Sequence, residues 1–255
     1  MPSNQSEDSE AIKDAVISGG TSIVAAGIGM LIGGPIGALY GAGAGPMLND
    51  LLKRVLSQKQ VSRIERTMEY ASQQIQAKLN EGASPTGNAK DPRAPELIEG
   101  VLLAASNAYE EKKIPLIANL MATAPFTNTP IDNLIQALNL GQQLSYRQLC
   151  LIAIIGPHDI GGGFGLSGRP LIEDYQSKSN ENTDGLYYDI FWLMNAGVVF
   201  QVGGQTNTQD PVLQVGAIVP SRLWLAYPGK LLYHGMHLST AIPAEDLEPV
   251  VEALR

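Results

Sequence analysis

The chain of 255 residues carries a single cysteine, Cys150. An intramolecular disulfide and any cysteine-based zinc cluster are therefore excluded, and the lack of disulfides fits a reducing compartment. Cys150 lies in the apolar run Leu149-Cys150-Leu151-Ile152, where a thiol serves as a small buried hydrophobe and not as a nucleophile. A basic surplus is also missing, since 17 Lys plus Arg face 25 Asp plus Glu. Neutralising phosphate takes a basic face, so nucleic acid is not expected as the main partner. Histidine is scarce: His158, His234 and His237. The last two are three residues apart, but Gly235 stands between them and no third ligand is placed, so no metal site is expected. His158-Asp159 has no nucleophile at an identifiable spacing. Gly161-Gly-Gly-Phe-Gly165 lacks the Lys-Ser/Thr and the strand–helix frame of a phosphate loop. No catalytic residue and no cofactor is expected, and the chain reads as a non-enzyme.

The longest absence is of charge. Residues 15–49 contain no Asp, Glu, Lys or Arg, and ten of the 27 glycines fall there. Within this stretch Thr21, Ala25, Gly29, Gly33, Gly37, Gly41 and Gly45 form an unbroken i, i+4 series. Glycine is unfavourable in the interior of a water-exposed helix. In lipid, rows of small residues let helix backbones approach closely. The stretch exceeds the roughly 20 residues needed for one span. It reads either as a single tilted helix or as a hairpin bent at Gly33-Gly34-Pro35. Gly29, Gly33, Gly37, Gly41 and Gly45 are the expected membrane and self-association residues, and a homo-oligomer is expected. The competing reading is a soluble, buried glycine-rich hairpin that forms part of a regulatory scaffold.

The flanks orient the segment. The leader is polar and acidic, unlike the basic leader of a cleavable signal peptide. After the stretch come Lys53, Arg54, Lys59, Arg63 and Arg66. The basic side stays cytoplasmic. The expected location is the inner membrane, with the bulk of the chain in the cytoplasm.

The remainder reads as mainly α with a small β-hairpin. Three regions are expected: the acidic leader and apolar segment (1–56), a helical middle (57–143) with a loop at 82–95, and a winged-helix-like region (144–255). Residues 50–81 read as helix with a seam of Val61, Ile64, Met68, Ala71, Ile75 and Leu79. Arg63 and Arg66 fall on its other faces. The loop has the glycines and prolines of a linker. Helix resumes over 96–124, interrupted by Glu110-Glu-Lys-Lys113, which reads as a solvated, self-neutralising break. A short helix over 131–141 is ended by Gly141. Ser145 caps a helix to Ile155. A helix over 186–195 is ended by Gly197. Strands are expected at 198–202 and 212–219 around a tip at 203–210, with Pro220 opening another helix and a final helix at 244–254.

Helix, helix, helix, strand, loop, strand is the order of a winged helix-turn-helix. A helix that reads DNA exposes Arg, Lys, Asn or Gln, whereas residues 186–195 are aromatic, apolar and acidic. From Leu144 onward 6 basic residues face 11 acidic ones. The expected partner is therefore a protein, and a DNA-binding regulator is the weaker alternative. The candidate contact residues are Tyr187, Tyr188 and Trp192. Trp192, inside the most apolar turn, is expected in the core, and Tyr188 partly exposed.

The run Gly29-Met-Leu-Ile-Gly-Gly-Pro-Ile-Gly-Ala-Leu-Tyr-Gly-Ala-Gly-Ala-Gly45 resembles the glycine-zipper segments of bacterial membrane proteins. The remainder, most closely over Ser106-Asn-Ala-Tyr-Glu-Glu-Lys-Lys-Ile-Pro-Leu-Ile-Ala-Asn-Leu120, is similar to the helical and winged-helix part of uncharacterised bacterial proteins associated with antiphage defence. This likeness implies a sensor or partner-binding cytoplasmic part joined to a membrane-active segment, and no catalytic residues.

Overall fold

Helix α1 (Gln58–Asn80) begins where Ser57, in extended backbone, accepts a hydrogen bond from the Gln60 amide. A side-chain cap of this kind satisfies an amide that has no partner inside the helix. Gly82 ends the helix at φ +85, with the Ala83 amide returning to the Lys78 carbonyl at 2.9 Å. The computed structural model describes residues 57–156, 181–202, 218 and 220–254. The glycine-rich stretch at 15–49, the Gly161–Gly165 loop, His158 and the 203–210 tip lie outside the described residues.

The inner face of α1 is Ile64, Met68, Ala71 and Ile75, and it also takes in Arg63 and Thr67. The apolar seam thus packs within the same chain, against α2 (Ala94–Ser106) and α3 (Lys113–Thr123), which also pack on each other. Val61 and Leu79, at the ends of the seam, are only half-buried. Helix α3 is buried on nearly every side, from Lys113 to Ala122. The stretch that reads as a linker is instead pinned to the far end of this trio. Thr86 donates its amide to the Pro125 carbonyl and its hydroxyl to the Thr127 carbonyl, each at 2.7 Å. Asn88 Nδ2 donates to the carbonyls of Thr127 at 2.9 Å and Thr129 at 2.7 Å. Gly, Pro and Asn marked the turns correctly, while the hydrogen bonds that anchor them depend on partners about 40 residues away.

The chain divides into two compact units, Met1–Ile135 and Gln136–Arg255, with the dividing line inside α4 (Ile131–Gln143). The second unit is organised on α5 (Tyr146–Ile155). Ser145 and Gln148 form a reciprocal capping box at its start, and every side chain from Gln148 to Ile155 is buried. A helix apolar all round belongs inside a core. Packed on α5 are α6 (Glu181–Asn195), α7 (Tyr227–Gly235), α8 (Leu238–Ala241), α9 (Ala244–Ala253) and strand β2 (Leu223–Leu225). The Tyr146 hydroxyl donates to Asp246 Oδ2 at 2.8 Å and joins α5 to α9.

Strand β1 (Val199–Gln201) pairs antiparallel with β2, Val199 opposite Leu225 and Phe200 opposite Trp224. The described residues are thus mainly helical, in nine helices, with one small antiparallel hairpin. The returning strand differs from the sequence reading. Residues 212–217 and 219 of the expected strand lie outside the described residues, and the partner of β1 is Leu223–Leu225. Pro220 does open a helix, but only the short 3-10 helix Pro220–Arg222, which runs straight into β2. Leu223 and Leu225 are buried and Trp224 half-buried, which is the period-two pattern of a strand. The proline at a helix start is Pro228, in the first turn of α7.

Gly141 does not stop α4, which runs on to Gln143. Its role is steric, because a Cβ there would meet the end of the Met236 side chain. Gly229 in α7 faces a harder wall, the backbone carbonyl of Val198. The two glycines make a test. A flexible methionine moves aside, and alanine also gains helix propensity, so Gly141→Ala changes stability by less than about 1 kcal/mol. Gly229→Ala pushes against backbone and costs about 1–3 kcal/mol. Paired thermal melts check the difference.

Candidate functional site

Helix α6 carries the aromatic candidates of the second unit. Arg147 Nε donates to Asp189 Oδ2 at 2.6 Å, and Gln148 Nε2 donates to Asp189 Oδ1 at 3.0 Å, which fixes α6 on the start of α5. The C-terminal end of α6 is closed by Gly197 at φ +67, with the Val198 amide on the Leu193 carbonyl and the Gly197 amide on the Met194 carbonyl. This is a Schellman closure, with buried Val198 and Leu193 as its apolar pair. It delivers the chain directly into β1.

That anchoring decides which aromatics reach water. Tyr187 is fully buried, so it drops out as a surface contact. Burial pushes its hydroxyl up to about 12. Tyr188 is 64 % exposed. Trp192, expected in the core, is 39 % exposed. The reason is helical phase: Ile190 and Leu193 take the inward face, and Trp192 falls one turn beyond Tyr188 on the outer one. On the hairpin, Phe200 and Trp224 share the outer face, and Phe200 is exposed. No Lys or Arg lies in α6.

The first unit holds a charged cluster at one end of α1. Arg63 and Arg66 both pair with the carboxylate of Glu111, on the loop between α2 and α3. Arg63 Nε donates to Glu111 Oε1 at 2.8 Å and its Nη1 donates to the Ser106 carbonyl at 3.1 Å. Lys59 Nζ stands 3.9 Å from the same carboxylate. The Arg63 side chain is nine-tenths buried, whereas Lys59 and Arg66 are mostly exposed. Gln60 Nε2 donates to Asn107 Oδ1 at 3.2 Å beside them. Tyr109, on the same loop, is almost wholly in solvent. The hydrogen bonds from Arg63 and Arg66 hold the Glu111 carboxyl below the usual carboxylate range.

Sequence reasoning did not find this cluster. It read Glu110–Lys113 as a break that neutralises itself. In the structure Glu111 is neutralised from α1, and Lys113 is buried at the start of α3, where desolvation lowers its pKa against the opposing field of Glu110. The available signal was Arg63 and Arg66 at i, i+3, one helical face, next to the apolar seam.

Among the described residues no group of three or more His, Cys, Asp or Glu is placed to hold a metal ion. His234 lies at the end of α7, edge-on to Tyr233, and His237 follows in the left-handed region. Comparison of the chain with protein-family models, curated proteins and solved structures finds no match.

Glu111→Gln removes the shared acceptor. A carboxyl with a lowered native pKa contributes stability above its unfolded-state value, and loses it as pH falls through the native one. The variant therefore melts lower than wild type at neutral pH, by about 1 kcal/mol for a half-exposed pair. The gap closes in acid, below the carboxylate range. In the second unit, Tyr188→Ala leaves the melting temperature nearly unchanged, whereas Tyr187→Ala costs about 3–5 kcal/mol.

Proposed function

We propose that this chain is a non-enzymatic, membrane-associated bacterial effector, of the class its resemblance to antiphage-defence proteins implies. Residues 15–49 insert into the inner membrane and self-associate along Gly29, Gly33, Gly37, Gly41 and Gly45. The rest of the chain, on the cytoplasmic side, receives a protein partner. The observation that carries this reading is the length of the uncharged stretch together with its seven-member i, i+4 series of small residues. Two charge features support it. The basic residues Lys53, Arg54, Lys59, Arg63 and Arg66 follow the stretch directly. The second unit is acidic, and α6 turns Tyr188 and Trp192 outward with no basic residue beside them in the helix. The order α5, α6, β1, β2 supports a winged-helix-like reading of that unit, with α6 as a protein-contacting helix.

Among the described residues no helix is long and apolar enough to cross a membrane. The insertion reading rests on 15–49 alone.

Cell fractionation with an alkaline-carbonate wash tests it. The full chain stays in the pellet, and a chain starting at Leu51 moves to the supernatant. Full-length protein that is released by carbonate defeats the proposal. Gly37→Leu separates insertion from association. Leucine raises hydrophobicity but blocks close approach, so the variant remains in the membrane and loses the crosslinked oligomer.

A further inference from the structure

The cluster at the start of α1 carries more positive charge than its own carboxylate balances. Three cations, Lys59, Arg63 and Arg66, converge on the single carboxylate of Glu111. In an acidic chain this concentration is local: from Leu51 to Arg66 there are five Lys or Arg and one Glu. The arrangement is also built. Arg63 is nearly buried and held from two sides by Glu111 and the Ser106 carbonyl, so it stiffens the junction of α1 with the loop. Lys59 and Arg66 flank it with their charged ends mostly exposed. A concave site of about 520 Å³ opens on the Lys59 and Arg63 side of the cluster, facing Asn107 and Tyr109, while Arg66 lies outside its lining and reaches it only through the shared Glu111. Tyr109 stands at its rim, 98 % exposed. A fully exposed tyrosine beside clustered cations is the composition of a membrane–water interface, where aromatic rings and basic side chains meet headgroups.

We propose that Lys59, Arg63 and Arg66 form a seat for a phosphate group, with Tyr109 as its interfacial wall, and that the phosphate is that of an anionic lipid headgroup. Glu111 positions the two arginines side by side. Lys59 and Arg66 supply the outward donors and the net positive charge. Arginine suits this chemistry because its planar fork matches phosphate oxygens. The inference rests on the membrane reading for the source of the phosphate, though not for the seat itself. It adds a surface contact, ten residues after the apolar segment in sequence, that makes membrane engagement depend on lipid charge.

Hydrogen exchange of the full chain tests this at the backbone amides of Asn107–Lys112 and of the first turn of α1. The protein is mixed with phosphatidylcholine vesicles, with phosphatidylcholine–phosphatidylglycerol vesicles, or with inorganic phosphate in buffer. The expected result is slower exchange of both segments with the anionic vesicles alone. Lys59→Glu with Arg66→Glu, at two exposed positions, abolishes that protection and weakens the apparent affinity for anionic vesicles by about tenfold or more. Tyr109→Ala weakens it by a smaller factor. The charge-reversed variant loses the Arg66–Glu111 pair and melts somewhat lower, and a retained helical circular-dichroism spectrum with a single cooperative transition well above the assay temperature shows that its fold is intact. Protection by inorganic phosphate in buffer, lost in the charge-reversed variant, keeps the seat but assigns it to a free phosphate ligand. Equal exchange in all three conditions, or protection that survives the charge reversal, overturns the proposal. Carbonate resistance is read separately, so loss of the seat and loss of the membrane reading are distinguishable outcomes.

Discussion

Burial of the inner face of α1 against α2 and α3 is the constraint on which the first unit depends. Ile64, Met68, Ala71 and Ile75 leave water along a line that spans three turns, and nearly all of α3 is enclosed as a result. Each large apolar side chain so buried contributes about 1.5–3 kcal/mol. The line does not close on apolar residues alone. At its start the next inward position is Arg63, whose charge is carried into the interior only because Glu111 and the Ser106 carbonyl meet it there. The cost of burying a guanidinium is offset only by a partner of this kind. The loop between α2 and α3 is consequently fixed to α1, and with it the exposed Lys59, Arg66 and Tyr109.

The second unit solves the same problem with a helix that is buried from Gln148 to Ile155. Because α5 is apolar from Leu149 to Ile155, that stretch has to be covered, and α7 to α9 with α6 and β2 do so. Polar side chains then set the register at the edges. Asp189 is held by Arg147 and Gln148, and Asp246 by Tyr146. This fixes the rotation of α6 and therefore which of its aromatics face outward.

Much of this was legible in the sequence. Apolar spacing marked α1, α2, α3 and α5, and Ser145 and Gly197 marked a start and an end, because these signals act over one or two helical turns. What failed depended on residues far apart in the chain. Gly141 looks like a helix stop but is a notch for Met236. Pro220 starts a helix of only three residues, and the strand that follows it is defined only by its pairing with Val199–Gln201. Trp192 sits among apolar neighbours in sequence, yet the anchoring of Asp189 by Arg147 and Gln148, 42 and 41 residues away, sets the rotation that turns it outward. Glu111 appears to be balanced by the lysines next to it, whereas its partners lie 45 and 48 residues earlier. Of the proposed membrane and self-association residues, all five glycines belong to the stretch outside the described residues, so the case for them is one of composition and spacing.

The central claim is that residues 15–49 reside in lipid, and depth-dependent quenching tests it most directly. The chain offers a simple route, because its single cysteine, Cys150, is buried and so shielded from labelling. A cysteine placed at Leu39, labelled with a polarity-sensitive fluorophore, reports on the middle of the stretch in the full chain mixed with vesicles. The account predicts a blue-shifted emission that is quenched by a spin label on the lipid acyl chain and not by iodide in the buffer. Emission that stays blue-shifted but is untouched by both quenchers places the stretch in a protein core instead, and contradicts the claim.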